Sequence, residues 1–325
     1  MIHDVKQFFG MEKEFRNADF LETESYRQIY NDVVSTIKDG YLVALTGIVG
    51  CGKTVTARKI RQDLKKRNEI LVSTSLTVEK HRVKLGTLMH ALFADLMTDK
   101  KAPIPSKLEF RERQLIELIS SKNKPVVLFI DEAHDLHHKT LGGLKRLQEV
   151  GQEANSLLSI VMVGHPKLSI DLNLPSMEEI GSRVVQLPMD GIRGMQDQYI
   201  DWILKQCLNK KVKPTDVFTK AALNLMTEKF TTPLQINHYA WKAFVKAFQI
   251  GQKPVDADTL NEVIAGDLNG IEANMKRHGY DIRALSEALD VKPAEIRSFF
   301  RGRLSSGRAQ ELESEIFKLG LVGVA

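Results

Sequence analysis

The apolar positions of the chain follow two periods. Between Tyr41 and about Leu187, short runs that are apolar throughout, YLVALTG, EILVSTSL, PVVLFID and LLSIVMVG, alternate with stretches of helical spacing. The helical stretches start at Lys53, run from Val83 to Met97, and run from Leu108 to Ser121. Strands apolar on both faces belong to a parallel sheet, because crossover helices cover both sides. The pattern therefore predicts an α/β core. After Pro188 the strands stop. From Gly194 to about Leu268 the spacing is helical, as in Tyr199, Ile203 and Leu204, then Ala222, Leu225 and Met226, then Ala240, Phe244, Ala247 and Phe248. Upstream of the core, FFG and EKEFRNADF precede an amphipathic helix carrying Tyr26, Ile29, Tyr30, Val33, Val34 and Ile37, with Gly40 suited to its stop. The expected organisation is an N-terminal segment with a leading helix (1–40), an α/β core (41–190), a helical subdomain (191–267) and a small all-α module (268–325). No internal repeat or low-complexity tract interrupts it.

Composition narrows the class. A chain of 325 residues has room for two or three domains, and 43% hydrophobic with 27% charged residues is the balance of a soluble globular protein. The two cysteines, Cys51 and Cys207, exclude a disulfide framework and a four-cysteine metal site. No run reaches the roughly 18 apolar residues that cross a bilayer, and MIHDVKQFFG lacks a signal-peptide core. A cytoplasmic protein with no membrane partner is expected. A net charge of +5 and a pI near 9.0 suit a nucleic-acid partner without requiring one.

The candidate chemistry lies where the strands end. Gly47-Ile-Val-Gly50-Cys51-Gly52-Lys53-Thr54 matches G-x-x-x-x-G-K-[ST], after the strand LVALT and before a helix. Glycines let successive backbone N–H groups point into one concavity, and the following helix directs its positive end at phosphates. Lys53 then neutralises β- and γ-phosphates of ATP, and Thr54 holds Mg²⁺. Gly47, Gly50, Cys51, Gly52 and Val55 complete the expected contacts. The second half is Val126-Val-Leu-Phe-Ile-Asp131-Glu132, an apolar strand ending in two acids at the carboxyl edge of the sheet. Asp131 is expected in the Mg²⁺ shell, and Glu132 is expected to polarise the attacking water.

Asp131-Glu-Ala-His134, the strand LLSIVMVGHPKL, then IGSRVVQLPMD and a helical lid resemble the AAA+ ATPases of the ExeA, TniB, TnsC and MuB group over roughly residues 5 to 265. The resemblance implies a P-loop AAA+ sheet core with a helical lid. It puts His165 in the sensor-1 place, where relatives carry an amide or hydroxyl; a buried structural histidine is the alternative. It matches Arg183 to the arginine presented across a subunit boundary to a neighbour's ATP, against a solvated surface arginine. One departure stands out. Relatives show G-x-P-R-x-I-N in the lid, whereas this chain reads Thr232-Pro-Leu234-Gln235-Ile-Asn237. The sensor-2 arginine is therefore missing, which suits a slow switch better than a fast motor.

In the last segment, Tyr280 to Phe300 has the spacing of two short helices around a tight turn, with Ile282, Leu285, Leu289, Val291, Ile296, Phe299 and Phe300 inward and Pro293 opening the second. It looks like a phage-repressor helix-turn-helix. Lys292, Arg297, Arg301, Arg303 and Arg308 stand against the single acid Glu295 between 292 and 308. Arg297, Arg301 and Arg303 are the DNA-contact candidates, and protein-binding modules of similar geometry are the alternative. Lys80, Arg82 and Lys84 form a second basic stretch, which in DNA-wrapping relatives resembles the part lining the channel; a solvated helix start is the other reading.

The leading functional expectation is an ATP-dependent regulator of transposition that assembles on duplex DNA as a ring or filament and engages a transposase. A loader of a replication or defence system is the second. An ExeA-type secretion ATPase ranks behind, because those proteins continue into a membrane segment and a cell-wall-binding domain not seen in this sequence.

Overall fold

The computed structural model describes residues 1–75, 83–99, 103–268, 275, 280–300 and 303–319. The chain divides into two compact units, one of Glu22–Gly47 and Lys53–Met189, the other of Met1–Leu21, Ile48–Gly52 and Asp190–Ala325. The first helix, α1 (Ile2–Phe9), belongs to the second unit.

The sheet unit runs α2 (Glu24–Lys38), β1 (Leu42–Gly47), α3 (Lys53–Arg67), β2 (Leu71–Ser75), α4 (Leu85–Leu96), α5 (Leu108–Ser120), β3 (Val126–Ile130), α6 (His138–Glu153), β4 (Leu158–Gly164), α7 (Lys167–Leu172), α8 (Glu178–Gly181) and β5 (Val184–Met189). Its five strands are all parallel, in the order β2-β3-β4-β1-β5. Burial follows that order. Every residue of the central strands β1, β3 and β4 is buried, whereas the edge strands β2 and β5 are partly open. Leu42, Leu128, Ile130, Ile160 and Met162 form one core with Leu88, Leu92 and Phe93 of α4, Leu115 and Ile119 of α5, and Leu141, Leu144 and Leu147 of α6. Burying a polar group without a partner is costly, and these strands avoid it. The buried Ser159 hydroxyl donates to the Ile37 carbonyl at 2.8 Å, and Ser73 donates to Asp95 Oδ2 at 2.8 Å.

Helix α6 went unanticipated from the sequence pattern, since the Gly142-Gly143 pair inside it lowers helix propensity. A third glycine, Gly151, serves packing. A Cβ added at Gly151 would lie 2.6 Å from the Leu158 Cβ, so α6 approaches β4 at a distance only glycine permits.

In the helical unit, α9 (Gln196–Cys207), α10 (Pro214–Val217), α11 (Lys220–Lys229), α12 (Pro233–Gln249) and α13 (Ala257–Leu268) enclose a second core. Residues from the chain start complete it: Phe9 stacks on Phe244 at 4.3 Å between ring centroids, and Phe15 on the same ring at 5.9 Å. Glu12 N–H donates to the Cys207 carbonyl at 2.8 Å. Helix α12 starts with a reciprocal cap, in which Thr232 Oγ1 accepts from Gln235 N–H at 3.3 Å and Gln235 Oε1 accepts from Thr232 N–H at 3.3 Å. The cysteines Cys51 and Cys207 are both free and buried, and burial pushes the Cys207 thiol up to about 11.

A small third core lies within the same unit. Helices α14 (Ile282–Leu289), α15 (Pro293–Phe300) and α16 (Ser306–Lys318) bury Leu285, Ile296, Leu312 and Ile316 together with Met275 and Tyr280, and Val49 packs against this cluster. Asp281 caps α14 by accepting from Ala284 N–H at 2.8 Å, and Asp290 turns the chain with a left-handed φ of 52°.

Candidate nucleotide site

In a parallel sheet all strands end at one edge, and here Thr46 of β1 is level with Gly164 of β4, while Ile130 of β3 is level with Met162. The segments leaving β1, β3 and β4 therefore start side by side. They carry Lys53 and Thr54, Asp131 and Glu132, and His165 respectively.

Residues 48–52 link β1 to α3. Gly50 and Gly52 adopt φ of 77° and 104°, conformations in which a side chain is strained, and nothing lies within 4 Å of a Cβ built on Gly52. The space beside Gly52 is open. Gly50 is closely covered within its own unit: a Cβ there would meet Leu234 Cβ at 2.4 Å and Thr232 Oγ1 at 3.1 Å. The apolar Leu234 thus sits against the loop. Cys51 is buried beside Gly191, and Val55 is exposed on the first turn of α3.

Lys53 opens α3 and Thr54 follows, both half-buried. Asp131 is half-buried at the end of β3, and its Oδ1 accepts the Glu132 N–H at 3.0 Å. Glu132 has a left-handed φ of 53° and a side chain 46% exposed, so its carboxylate meets solvent at the strand edge. The Thr54 hydroxyl and the Asp131 carboxylate are hard oxygen donors, the chemistry that magnesium takes, and they fit the ion that the phosphate loop implies. No group of three or more His, Cys, Asp or Glu that could bind a metal by itself occurs among the described residues.

Two groups at this edge escape sequence reasoning. Arg61 is half-buried in α3, beside the Asp131 charge; burial draws its guanidinium below the usual range and Asp131 opposes this. It lies over the Phe129 ring at 5.8 Å and its Nη1 donates to Thr74 Oγ1 at 3.4 Å. The signal was available, because Arg61 falls on the stripe of the buried Ala57 and Leu64. His134 is the other. Its Nδ1 accepts the His165 N–H at 3.2 Å, and burial holds its pKa below the usual histidine value against the pull of Asp135 and Glu132. The His165 ring lies 5.8 Å from that of His134, and His165 Nδ1 accepts the Lys167 N–H at 3.3 Å.

Arg183 does not join this group. It immediately precedes β5, whose Val184 is level with Leu42 and whose Met189 is level with Gly47. At about 3.3 Å per residue it stands about 20 Å along the sheet from the phosphate-loop edge, farther than an arginine side chain reaches. Arg183 is exposed and has no ion-pair partner among the described residues.

Residues 36–170 match the AAA domain family. The chain carries an AAA+ ATPase domain. An AAA domain binds nucleotide with a divalent metal and hydrolyses it, and the α/β parallel-sheet fold is that of the P-loop AAA+ ATPases. The chain is 26% identical over 237 residues to general secretion pathway protein A of Aeromonas hydrophila, a match covering 71% of this chain and 40% of the relative. It thus spans well under half the length of that curated relative. Among solved structures it is similar to Cdc6p from Pyrobaculum aerophilum, with a TM-score of 0.57, 15% identity and coverage of 96% and 83% of the two chains. It is also similar to the Aeropyrum pernix ORC1 protein in complex with DNA, with a TM-score of 0.52, 15% identity and coverage of 93% and 85%.

Of the basic residues singled out for DNA, Lys84, Arg297 and Arg303 are exposed, while Lys80, Arg82 and Arg301 lie outside the described residues. Arg308 is occupied, with Nε 2.7 Å from Glu295 and Nη1 2.9 Å from Glu311. No helix among the described residues is long and apolar enough to cross a membrane.

Proposed function

We propose that the chain is an ATP-dependent, DNA-binding AAA+ regulator of transposition, which assembles head to tail on duplex DNA and recruits or activates a transposase, with hydrolysis driving disassembly. The observation that carries the reading is the place of Arg183. An exposed arginine with no ion-pair partner among the described residues, at the sheet edge opposite its own phosphate loop, is of use to ATP only when that ATP is held by another copy. Head-to-tail contacts of this kind build rings if they close and filaments if they do not.

Within each copy, the amides of residues 48–52 and the Lys53 ammonium bind the phosphates. Mg²⁺ held by Thr54 and Asp131 would neutralise charge on the β- and γ-phosphates. Glu132 orients and polarises a water, which its solvent-facing carboxylate can reach, and His165 reads the γ-phosphate. Arg183 of the next copy stabilises the charge that spreads over the transferring phosphoryl group. Loss of the γ-phosphate removes what favours the assembled state, so residence on DNA is timed by turnover. The exposed Lys84, Arg297 and Arg303 are the groups offered to DNA phosphates, with α14 and α15 as the helix-turn-helix pair. The transposition assignment is supported by the resemblance to the TniB, TnsC and MuB group, and DNA contact by the likeness to an ORC1 protein in complex with DNA.

A secretion role is the second reading, favoured by the match to general secretion pathway protein A. Electron microscopy of the full chain with duplex DNA and a slowly hydrolysed ATP analogue separates them. Ordered rings or filaments on DNA that vanish with ADP are expected. Bare DNA at protein concentrations that saturate with nucleotide would overturn the DNA reading.

A further inference from the structure

Within the sheet unit, the turn leaving β3 and the turn leaving β4 are joined by one side chain. His134 lies in the single turn Ala133–Asp135, and its Nδ1 takes the backbone N–H of His165. The seat is tight: a Cβ added at Gly164 would lie 3.2 Å from His134 N and 3.5 Å from its Nδ1. Nδ1 is also 3.6 Å from Glu132 Oε2, and Nε2 is 3.8 Å from Asp135 Oδ1. Because Nδ1 accepts, the neutral ring carries its proton on Nε2, on the side of Asp135. In that tautomer the imidazole has no proton to give Glu132, so both carboxylate oxygens stay available to water. The ring is 14% exposed, and its burial favours the neutral form.

We propose that His134 is a positioning residue for ATP hydrolysis, fastening the His165 turn to the Glu132 turn while leaving the Glu132 carboxylate unprotonated and open. The proposal rests on the reading of Glu132 as the group that polarises water. It separates two roles that a strand ending in Asp-Glu-Ala-His leaves merged: the acid acts on water, and the histidine sets the spacing between that acid and the group facing the γ-phosphate. A histidine that merely fills space would need only its volume; one that positions needs an acceptor where Nδ1 stands.

The test uses the full chain with His134→Ala and His134→Asn, since the asparagine carbonyl oxygen can occupy the Nδ1 position. Turnover, ATP affinity and hydrogen exchange of the His165 amide are measured together. His134→Ala is expected to lower kcat about 10- to 100-fold, the size of effect that misplacing a catalytic group by an ångström produces, while the Kd for ATP stays within about two-fold. The His165 amide should exchange faster in that variant. His134→Asn should restore both turnover and protection. Wild-type kcat in His134→Ala overturns the proposal, and so does an asparagine variant that regains amide protection without regaining turnover. Glu132→Gln run in parallel tests the underlying reading separately: normal turnover there removes Glu132 from the chemistry, whereas the tether is still read from the His165 amide alone.

Discussion

The two edges of the parallel sheet differ in kind. At the carboxyl edge, within a few residues of the ends of β1, β3 and β4, stand Lys53, Thr54, Asp131, Glu132, His134 and His165. At the opposite edge stands Arg183, exposed before β5. One edge gathers the groups proposed to grip a triphosphate and activate water; the other carries the exposed Arg183. Strand direction sends the ends of successive parallel strands to one place, and so excludes Arg183 from the site of its own chain. On the proposed reading, Arg183 can serve only the ATP of another copy, so completing the site becomes a matter of assembly.

The comparison can be broken most sharply at the carboxyl edge. Glu132→Gln keeps charge-independent packing but loses the base, so turnover should fall by about 10²-fold or more while ATP binding persists; steady-state kinetics beside calorimetry reads both. Gly50→Ala comes next. Its φ of 77° strains any side chain and Leu234 Cβ stands 2.4 Å from the new carbon, so the loop must move. At about 1–2 kcal/mol for the backbone alone, ATP affinity should weaken about tenfold or more, with kcat at saturation less affected. The smallest effect is expected within the helical unit. Thr232→Ala removes the cap of α12 and should cost about 1 kcal/mol, lowering the Tm of the full chain by a few degrees with ATP affinity nearly unchanged. A large loss of affinity there would mean that the cap also shapes the loop beneath it.

Much of this was legible because the signals are local. The parallel α/β core follows from apolar runs between helical stretches, and each central strand is buried end to end as that pattern requires. The phosphate loop and Asp131-Glu132 are contiguous motifs whose spacing states their context. What stayed hidden depends on packing between distant positions. Phe9 and Phe244 stack although 235 residues separate them in sequence, which ties the chain start to the helical unit, and no local pattern carries that. The His134–His165 tether required the register of β3 against β4. Helix α6 was masked by the Gly142-Gly143 pair, and the close approach that Gly151 makes to Leu158 carries no local signal. Nor does a charge count show that Arg308 is held by Glu295 and Glu311.

The central claim is that each ATP is served by two copies, and mixing defective subunits tests it most directly. Lys53→Ala removes the phosphate grip, and Arg183→Ala removes the cation that the next copy needs, so each alone should hydrolyse ATP at a rate lowered by about 10³-fold. In a mixture, an intact loop on the Arg183→Ala subunit can meet an intact Arg183 on the Lys53→Ala subunit. The account predicts that the mixture's ATPase rate rises well above the sum of the two separate rates and grows with protein concentration. A mixture that is no faster than that sum, from variants that still assemble, would contradict it.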